Sequence, residues 1–320
     1  MKVFITREIS EKAVNLLRKE KFQVDVYKKD LPISRKELIK KIKNADAVIS
    51  LLTEKFNKEL IDKIPDCKII ANYAVGYNNI DIEYAAKKKI IVTNTPDVLT
   101  DSTADIAISL ILACSRRLME GERLIRQGKF KSWQPNLLLG IELKDKVVGI
   151  IGAGRIGTET AVRVKAFKTK IVYFSRSRNY DLEKRTGAAK LSLSTLLKKS
   201  DIISVHLPLN DKTYHLLDKQ KLSLLKKSAI LVNSARGEIV DEKELIKILK
   251  LKKIFSAGFD VYENEPDINP ELLKLDNVVL LPHIGSATEE ARLSMALLAA
   301  KNVVNVLNGK KPLTPVNKIN

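Results

Sequence analysis

V-V-G-I-I-G-A-G-R-I-G, residues 147–157, sets the architecture expected of the whole chain. An apolar run of strand type stops at Gly152, and T-E-T-A-V-R-V-K-A-F (158–167) continues as a helix after Gly157. This is the G-x-G-x-x-G pattern between a strand and a helix, the context that gives it meaning. Gly152 permits a sharp turn, Gly154 lets backbone approach a pyrophosphate, and Gly157 lets helix pack closely on strand. The helix start then offers unpaired N–H groups and a partial positive charge. The turn from Gly152 through Ala153, Gly154, Arg155 and Ile156 to Gly157 is therefore the expected phosphate cradle of a dinucleotide site.

Strands and helices alternate on both sides of this turn. Before it, strands are expected at Lys2–Thr6, Phe22–Tyr27, Ala47–Ser50, Lys68–Asn72 and Ile90–Asn94, with helices between them. Ser34 followed by Glu37 reads as a capping box. After the turn, strands are expected at Lys170–Phe174, Ile202–Leu207, Ala229–Ser234, Ser256–Val261 and Val278–Leu281. Such alternation implies an α/β chain with two doubly wound parallel sheets. Pro96 interrupts the pattern, and Asp101 to Gln127 reads as one long helix. Thr288 to Asn308, rich in Ala and Leu and ending at Gly309, is expected to pack back on the first half. The expected domains are 1–98 with 289–320, which binds substrate and is discontinuous, and 99–288, which binds dinucleotide.

At 320 residues, two cores are the natural expectation. The chain is 45% hydrophobic and 30% charged, with no apolar run near the roughly 20 residues of a membrane span. Its opening passes straight into a strand, so no targeting peptide and a cytoplasmic location are expected. Cys67 and Cys114 lie far apart in apolar surroundings and read as buried thiols. The net charge of +19 does not read as nucleic-acid binding, because the basic residues are scattered over solvated helix faces and aromatics are only 5%. A positive field also attracts small anions and a phosphate-rich cofactor. No metal is expected.

The second strand after the glycine turn ends in Ser175-Arg176-Ser177-Arg178. An NAD site usually carries a carboxylate there for the ribose 2′-hydroxyl. Here none is present, whereas Ser175, Arg176 and Ser177 suit a 2′-phosphate through charge-assisted bonds. NADPH is the expected cofactor, with NADH able to serve.

Three histidines are present: His206, His215 and His283. Histidine is the usual side chain for acid–base work near neutral pH. His283 follows the strand N-V-V-L-L-P, where an open sheet ends and its ligands bind. His206 also ends a strand and is expected to line the cofactor, while His215 looks peripheral. Arg236, in V-N-S-A-R-G, closes another strand and could hold a carboxylate through two parallel bonds. Glu265, in V-Y-E-N-E-P, could pair with a histidine, although position alone does not choose it over Glu263. Trp133 stands near Pro135 in the loop 128–140.

A-N-Y-A-V-G-Y-N-N-I-D (71–81), V-T-N-T-P-D-V-L-T-D-S-T-A-D (92–105), G-I-I-G-A-G-R-I-G (149–157), N-S-A-R-G-E-I-V-D (233–241), A-G-F-D-V-Y-E-N-E-P (257–266) and L-P-H-I-G-S-A-T (281–288) follow in order. Through these blocks the chain resembles the D-2-hydroxyacid dehydrogenases over nearly its full length. Within them it is most similar to the glyoxylate/hydroxypyruvate reductases, through residues 71–105, S-W-Q-P (132–135) and P-H-I-G-S-A-T. The resemblance implies a flavodoxin-like substrate domain, a Rossmann cofactor domain and reduction of glyoxylate to glycolate and of hydroxypyruvate to D-glycerate. It implies that Arg236 holds the substrate, that Glu265 pairs with His283, and that His283 protonates the carbonyl oxygen. Val75 and Gly76 would bind the carboxylate, with Leu51, Leu52 and Ser286 at the pocket. Thr103, Ile156, Pro208, Thr213, Ser234, Ala235, Asp260 and Gly285 would contact cofactor. Trp133 matches a tryptophan that reaches a neighbouring subunit's pocket in similar enzymes, so a homodimer is implied. Ala153 stands where leucine is common, and Ser234 where an apolar residue or threonine is common; neither alters the chemistry. Other specificities in the family (2-ketogluconate, phosphoglycerate, a bulkier 2-oxo acid) and a dinucleotide-sensing, corepressor-like protein are the alternatives. No appended regulatory domain is expected after the dehydrogenase core, which counts against the larger phosphoglycerate enzymes.

Overall fold

The computed structural model describes residues 1–319, which divide into two compact units: Met1–Leu99 with the segment from Ser286 onward, and Thr100–Gly285. The first unit opens with β1 (Lys2–Ile5), α1 (Glu11–Lys19), β2 (Gln23–Val26), α2 (Arg35–Ile42), β3 (Ala47–Ser50), α3 (Lys58–Ile61), β4 (Ile69–Asn72), α4 (Ile82–Lys87) and β5 (Ile91–Thr93). Its strands are all parallel in the order β2-β1-β3-β4-β5, the flavodoxin-like arrangement. β3 and β4 are buried at every residue, as central parallel strands covered on both faces must be. Ser34, Asn57 and Asp81 cap their helices by accepting the N–H groups of Glu37, Leu60 and Tyr84. The box at Ser34 is half formed, because the Glu37 carboxylate lies 3.5 Å from the Tyr27 hydroxyl.

The second unit contains α5 (Thr100–Ser115), α6 (Leu118–Arg126), β6 (Val147–Ile151), α7 (Arg155–Lys165), β7 (Lys170–Phe174), α8 (Tyr180–Thr186), β8 (Ala189–Lys190), α9 (Leu193–Lys199), β9 (Ile202–Val205), α10 (Lys219–Leu222), β10 (Ile230–Asn233), α11 (Glu242–Lys250), β11 (Ser256–Phe259), α12 (Pro270–Leu273) and β12 (Val278–Leu280). The parallel order is β8-β7-β6-β9-β10-β11-β12. Strand order reverses between β6 and β9, the kind of switch point beyond whose strand ends open α/β sheets bind ligands. The edge strand β8 is too short to leave a periodic signal and was not expected from the sequence.

The single helix expected over Asp101–Gln127 is two helices. Arg117 adopts a left-handed conformation, with φ 53°, and its guanidinium binds the Glu120 carboxylate at 2.7 and 2.9 Å. The break lets the Ser115 carbonyl accept the Ile141 N–H at 2.7 Å. α5 packs against α7, β10 and β11, whereas α6 buries no residue. Arg163 of α7 binds Asp101 and Asp105 of α5 at 2.6 and 2.7 Å, tying the helix behind the glycine turn to its neighbour.

α13 (Glu289–Leu307) belongs to the first unit, where Thr288 caps it and it packs on α1, β3 and β4. Asn302 is fully buried on it. Its amide donates to the Leu298 carbonyl and the Thr314 hydroxyl, and its carbonyl oxygen accepts the N–H groups of Leu313 and Thr314. No helix among the described residues is long and apolar enough to cross a membrane.

Asn302→Leu keeps the volume but removes the acceptor that the N–H groups of Leu313 and Thr314 share. It should lower unfolding stability by about 3 kcal/mol, read as a lower urea midpoint; an unchanged midpoint would show that water satisfies these groups.

Candidate active site

The glycine turn joins β6 to α7 at the reversal of strand order. Gly152 has φ +99°, and a Cβ there would lie 2.6 Å from the His206 carbonyl oxygen. A Cβ on Gly157 would lie 2.1 Å from the Gly152 carbonyl oxygen. Gly154 has nothing within 4 Å of its Cβ position, and as N-cap of α7 it offers no capping side chain. Two glycines are thus required by crowding, while the middle one leaves open space before uncapped N–H groups. That combination fits a pyrophosphate. Asn179 steadies the turn by donating to the Ala153 carbonyl at 2.9 Å and to the Thr158 hydroxyl at 3.1 Å.

At the end of β7, Arg176 is exposed and its side chain has no protein partner among the described residues. Arg178 is engaged: Nε and Nη2 lie 2.8 Å from Glu183 Oε2, and the guanidinium stacks 4.9 Å from the Tyr180 ring centroid. The Ser175 hydroxyl donates to the Ser177 carbonyl.

Other residues expected at the cofactor have identifiable tasks. The Thr213 hydroxyl closes its own loop by donating to the Pro208 carbonyl at 2.7 Å and accepting the Asn210 N–H. Thr103 and Asp260 flank Gly285, whose Cβ position lies 3.4 and 3.0 Å from them. Ser234 carries a buried hydroxyl without a partner among the described residues, as a residue awaiting a polar ligand would. Ala235 presents its carbonyl to Arg236 Nη1 at 2.7 Å. His206 stands beside Gly152, but its Nε2 meets the Ser204 hydroxyl at 2.8 Å. Burial pushes this imidazole down to about 3, so it is neutral and unsuited to deliver a proton at neutral pH.

Arg236, Glu265 and His283 all lie in the second unit. His283 Nδ1 meets Glu265 Oε2 at 2.7 Å, while Oε1 accepts the Tyr262 N–H at 2.9 Å. Burial opposes the Glu265 charge. The His283 hydrogen bond and charge, the Tyr262 N–H and the Arg236 guanidinium outweigh it and hold the carboxyl below its usual range. Nδ1 is thereby committed and Nε2 has no protein partner among the described residues, as a proton donor to substrate requires. Burial draws the Arg236 guanidinium below its ordinary value, against the pull of Glu265 and Glu238. Gly237 permits this packing, because a Cβ there would fall 1.9 Å from the Tyr262 carbonyl carbon.

His283 has φ 55°, an uncommon conformation that needs support. Asp260 supplies it: Oδ1 accepts the Ile284 N–H and Oδ2 the Gly285 N–H, both at 2.7 Å. The sequence pointed to Asp260 only as a cofactor contact; its grip on the 283–285 turn is a long-range feature with no local signal. The structure also separates the two carboxylates that position left undecided. Glu263 pairs with His215 Nε2 at 2.9 Å, and Tyr214 stacks on that ring.

In the first unit, the side chains of Asn94 and Asn72 take up the Val75 and Gly76 carbonyls, each at 2.8 Å. The N–H groups of Val75 and Gly76 have no partner among the described residues and could serve a carboxylate. Leu51 is half-buried, Leu52 exposed and Ser286 half-buried in the same unit. Trp133, in the second unit, is 80% exposed. Both cysteines are buried free thiols, and burial pushes each up to about 12, which removes them from nucleophilic chemistry. No cluster of metal-ligating side chains occurs among the described residues.

Residues 108–285 match the family model described as D-isomer specific 2-hydroxyacid dehydrogenase, NAD binding domain. A glyoxylate reductase of Thermococcus litoralis is 49% identical, over 99% of this chain and 97% of its own length. A crystal structure of a protein from Thermus thermophilus superposes with TM-score 0.93 at 39% identity, covering 99% of this chain and all of that one. The NADPH-dependent glyoxylate/hydroxypyruvate reductase of Sinorhizobium meliloti, in complex with citrate, superposes with TM-score 0.85 at 32% identity, covering 98% and 97% of the two chains.

Because Glu265 sits below its usual range, its charge adds stability above the unfolded carboxylate pKa of about 4.3. That contribution is lost as pH falls through the lower folded value. Glu265→Gln should therefore be less stable than the parent near neutral pH, and the deficit should close as unfolding is followed below about pH 4. A deficit independent of pH would mean that the carboxylate charge contributes nothing.

Proposed function

The chain belongs to the D-isomer specific 2-hydroxyacid dehydrogenases, and we propose that it reduces glyoxylate to glycolate and hydroxypyruvate to D-glycerate, with NADPH preferred over NADH. As a member of this family it is an NAD(P)H-dependent oxidoreductase. The observation that carries the proposed chemistry is the His283–Glu265 pair at 2.7 Å beside the Arg236 guanidinium.

Arg236 binds the substrate carboxylate and polarises the adjacent carbonyl, where a guanidinium's planar donors act in parallel. When bound, the reduced nicotinamide supplies the hydride that the carbonyl carbon accepts. As negative charge grows on the carbonyl oxygen, His283 Nε2 delivers a proton to it, giving the hydroxyl of the product. Glu265 fixes the orientation of the ring through Nδ1. His283 is then recharged from solvent for the next turnover.

NADPH preference rests on Ser175–Arg178, where Arg176 has no protein partner among the described residues and no carboxylate occupies the ribose position. The Sinorhizobium meliloti structure is of an NADPH-dependent enzyme, which supports the same reading. A homodimer is supported by the apolar side chains that α6 and the loop after it leave in solvent: Leu118, Met119, Ile125, Phe130, Trp133 and Leu139 are all exposed.

His283→Ala should lower kcat by about a thousandfold while NADPH still binds, because only the proton donor is lost. An active His283→Ala enzyme would remove His283 from the mechanism. With glyoxylate, kcat/KM should favour NADPH by about tenfold or more, the size of one charge-assisted contact; a preference for NADH would reject the cofactor assignment. Light scattering should return twice the 35.9 kDa chain mass, and a monomer would reject the dimer.

A further inference from the structure

We propose that Lys190, on the two-residue edge strand β8, is the second cation that binds the 2′-phosphate of NADPH beside Arg176, and that Arg178 serves as counter-ion to Glu183 rather than as a phosphate ligand. This rests on the NADPH reading above and assigns the charges within that subsite.

Lys190 pairs with Tyr173 on β7, and residues opposite one another in a ladder project to the same face of the sheet. Tyr173 is fully buried, and its hydroxyl donates to Glu183 at 2.6 Å and accepts the Asn179 N–H at 3.0 Å. Lys190 lies on the open margin of that face and is exposed. Its Nζ donates to the Arg176 carbonyl at 3.3 Å. The ammonium is therefore held over the loop that ends β7. Asn179 connects this loop to the glycine turn through the Ala153 carbonyl, so the cation stands at the cofactor end of the sheet although it lies 33 residues beyond Gly157 in sequence.

Donor availability separates the two arginines. Arg178 directs Nε and Nη2 at Glu183 and lies over Tyr180, whereas the Arg176 side chain has no such partner among the described residues. The Ser175 hydroxyl proton is used on the Ser177 carbonyl. Arg176, Ser177 and Lys190 remain as donors. Three cations around one carboxylate leave two positive charges, close to the −1.5 to −2 of a phosphate monoester near neutral pH. Without Arg178, Glu183 would stand uncompensated and repel the phosphate.

The test compares steady-state kinetics on glyoxylate with NADPH and NADH, and competitive inhibition by 2′,5′-ADP and 5′-AMP. Lys190→Ala should raise the KM for NADPH and the inhibition constant of 2′,5′-ADP by about tenfold. Values for NADH and 5′-AMP should change by less than about twofold, since neither carries the phosphate. Lys170→Ala removes the same charge from the opposite end of β7 and should affect neither cofactor. Arg178→Gln should weaken NADPH by exposing Glu183, and the double variant Arg178→Gln/Glu183→Gln should recover it. If Lys190→Ala leaves NADPH and 2′,5′-ADP unchanged in an enzyme that prefers NADPH, Lys190 is not a ligand. If the double variant stays as weak as Arg178→Gln, Arg178 is itself a ligand. A parent enzyme that prefers NADH would overturn the cofactor reading and this assignment together.

Discussion

The grip of Asp260 on the turn after His283 underlies the geometry of the candidate site. A buried carboxylate with both oxygens turned to backbone N–H groups is costly to form, and burial pushes this carboxyl above its usual range. The two hydrogen bonds to Ile284 and Gly285 offset that cost and hold His283 in a left-handed conformation. From there the imidazole meets Glu265 with one nitrogen and keeps the other for chemistry. Gly285 suits the same point, because a Cβ there would press on Asp260 at 3.0 Å and on Thr103 at 3.4 Å.

The loop that presents Glu265 is fixed from several sides. Gly237 abuts the Tyr262–Glu263 peptide directly after Arg236. Glu242 accepts the Glu263 N–H at 3.3 Å, and Glu263 pairs with His215. Two histidine–carboxylate pairs thus share one short loop and have separate tasks. One faces the Arg236 side, and the other ties the loop to the chain around residue 215. His206, the remaining histidine, is held neutral by burial and bonds the Ser204 hydroxyl. Three residues of one type have three different roles because their surroundings differ in dielectric and partner.

Charge follows a similar logic. The excess of basic residues is spread over solvated helices, and much of it is engaged in ion pairs such as Arg163 with Asp101, Asp105 and Glu159. Exposed pairs of this kind contribute little each. Their consequence is selective: they remove most arginines near the cofactor end from ligand binding and leave Arg176 available. Position in the ion-pair network, more than residue type, decides which cation could meet an anionic ligand.

The two alternating strand–helix series, the glycine turn and the cap at Ser34 were legible in the residues alone. Each depends on contacts within a few residues, where steric rules for glycine and the pairing of a capping side chain with a nearby N–H leave one solution. Arg236, Glu265 and His283 were also singled out at that level, mainly through blocks that resemble a known family; position alone left Glu265 and Glu263 equal. The pairing of His215 with Glu263, which separates the two carboxylates, emerged from tertiary packing. So did the helix break at Arg117 and the edge strand β8. These outcomes join groups far apart in the chain. Hydrophobic periodicity is satisfied equally well by several such pairings, and burial, strand register and the need to satisfy buried polar groups select one.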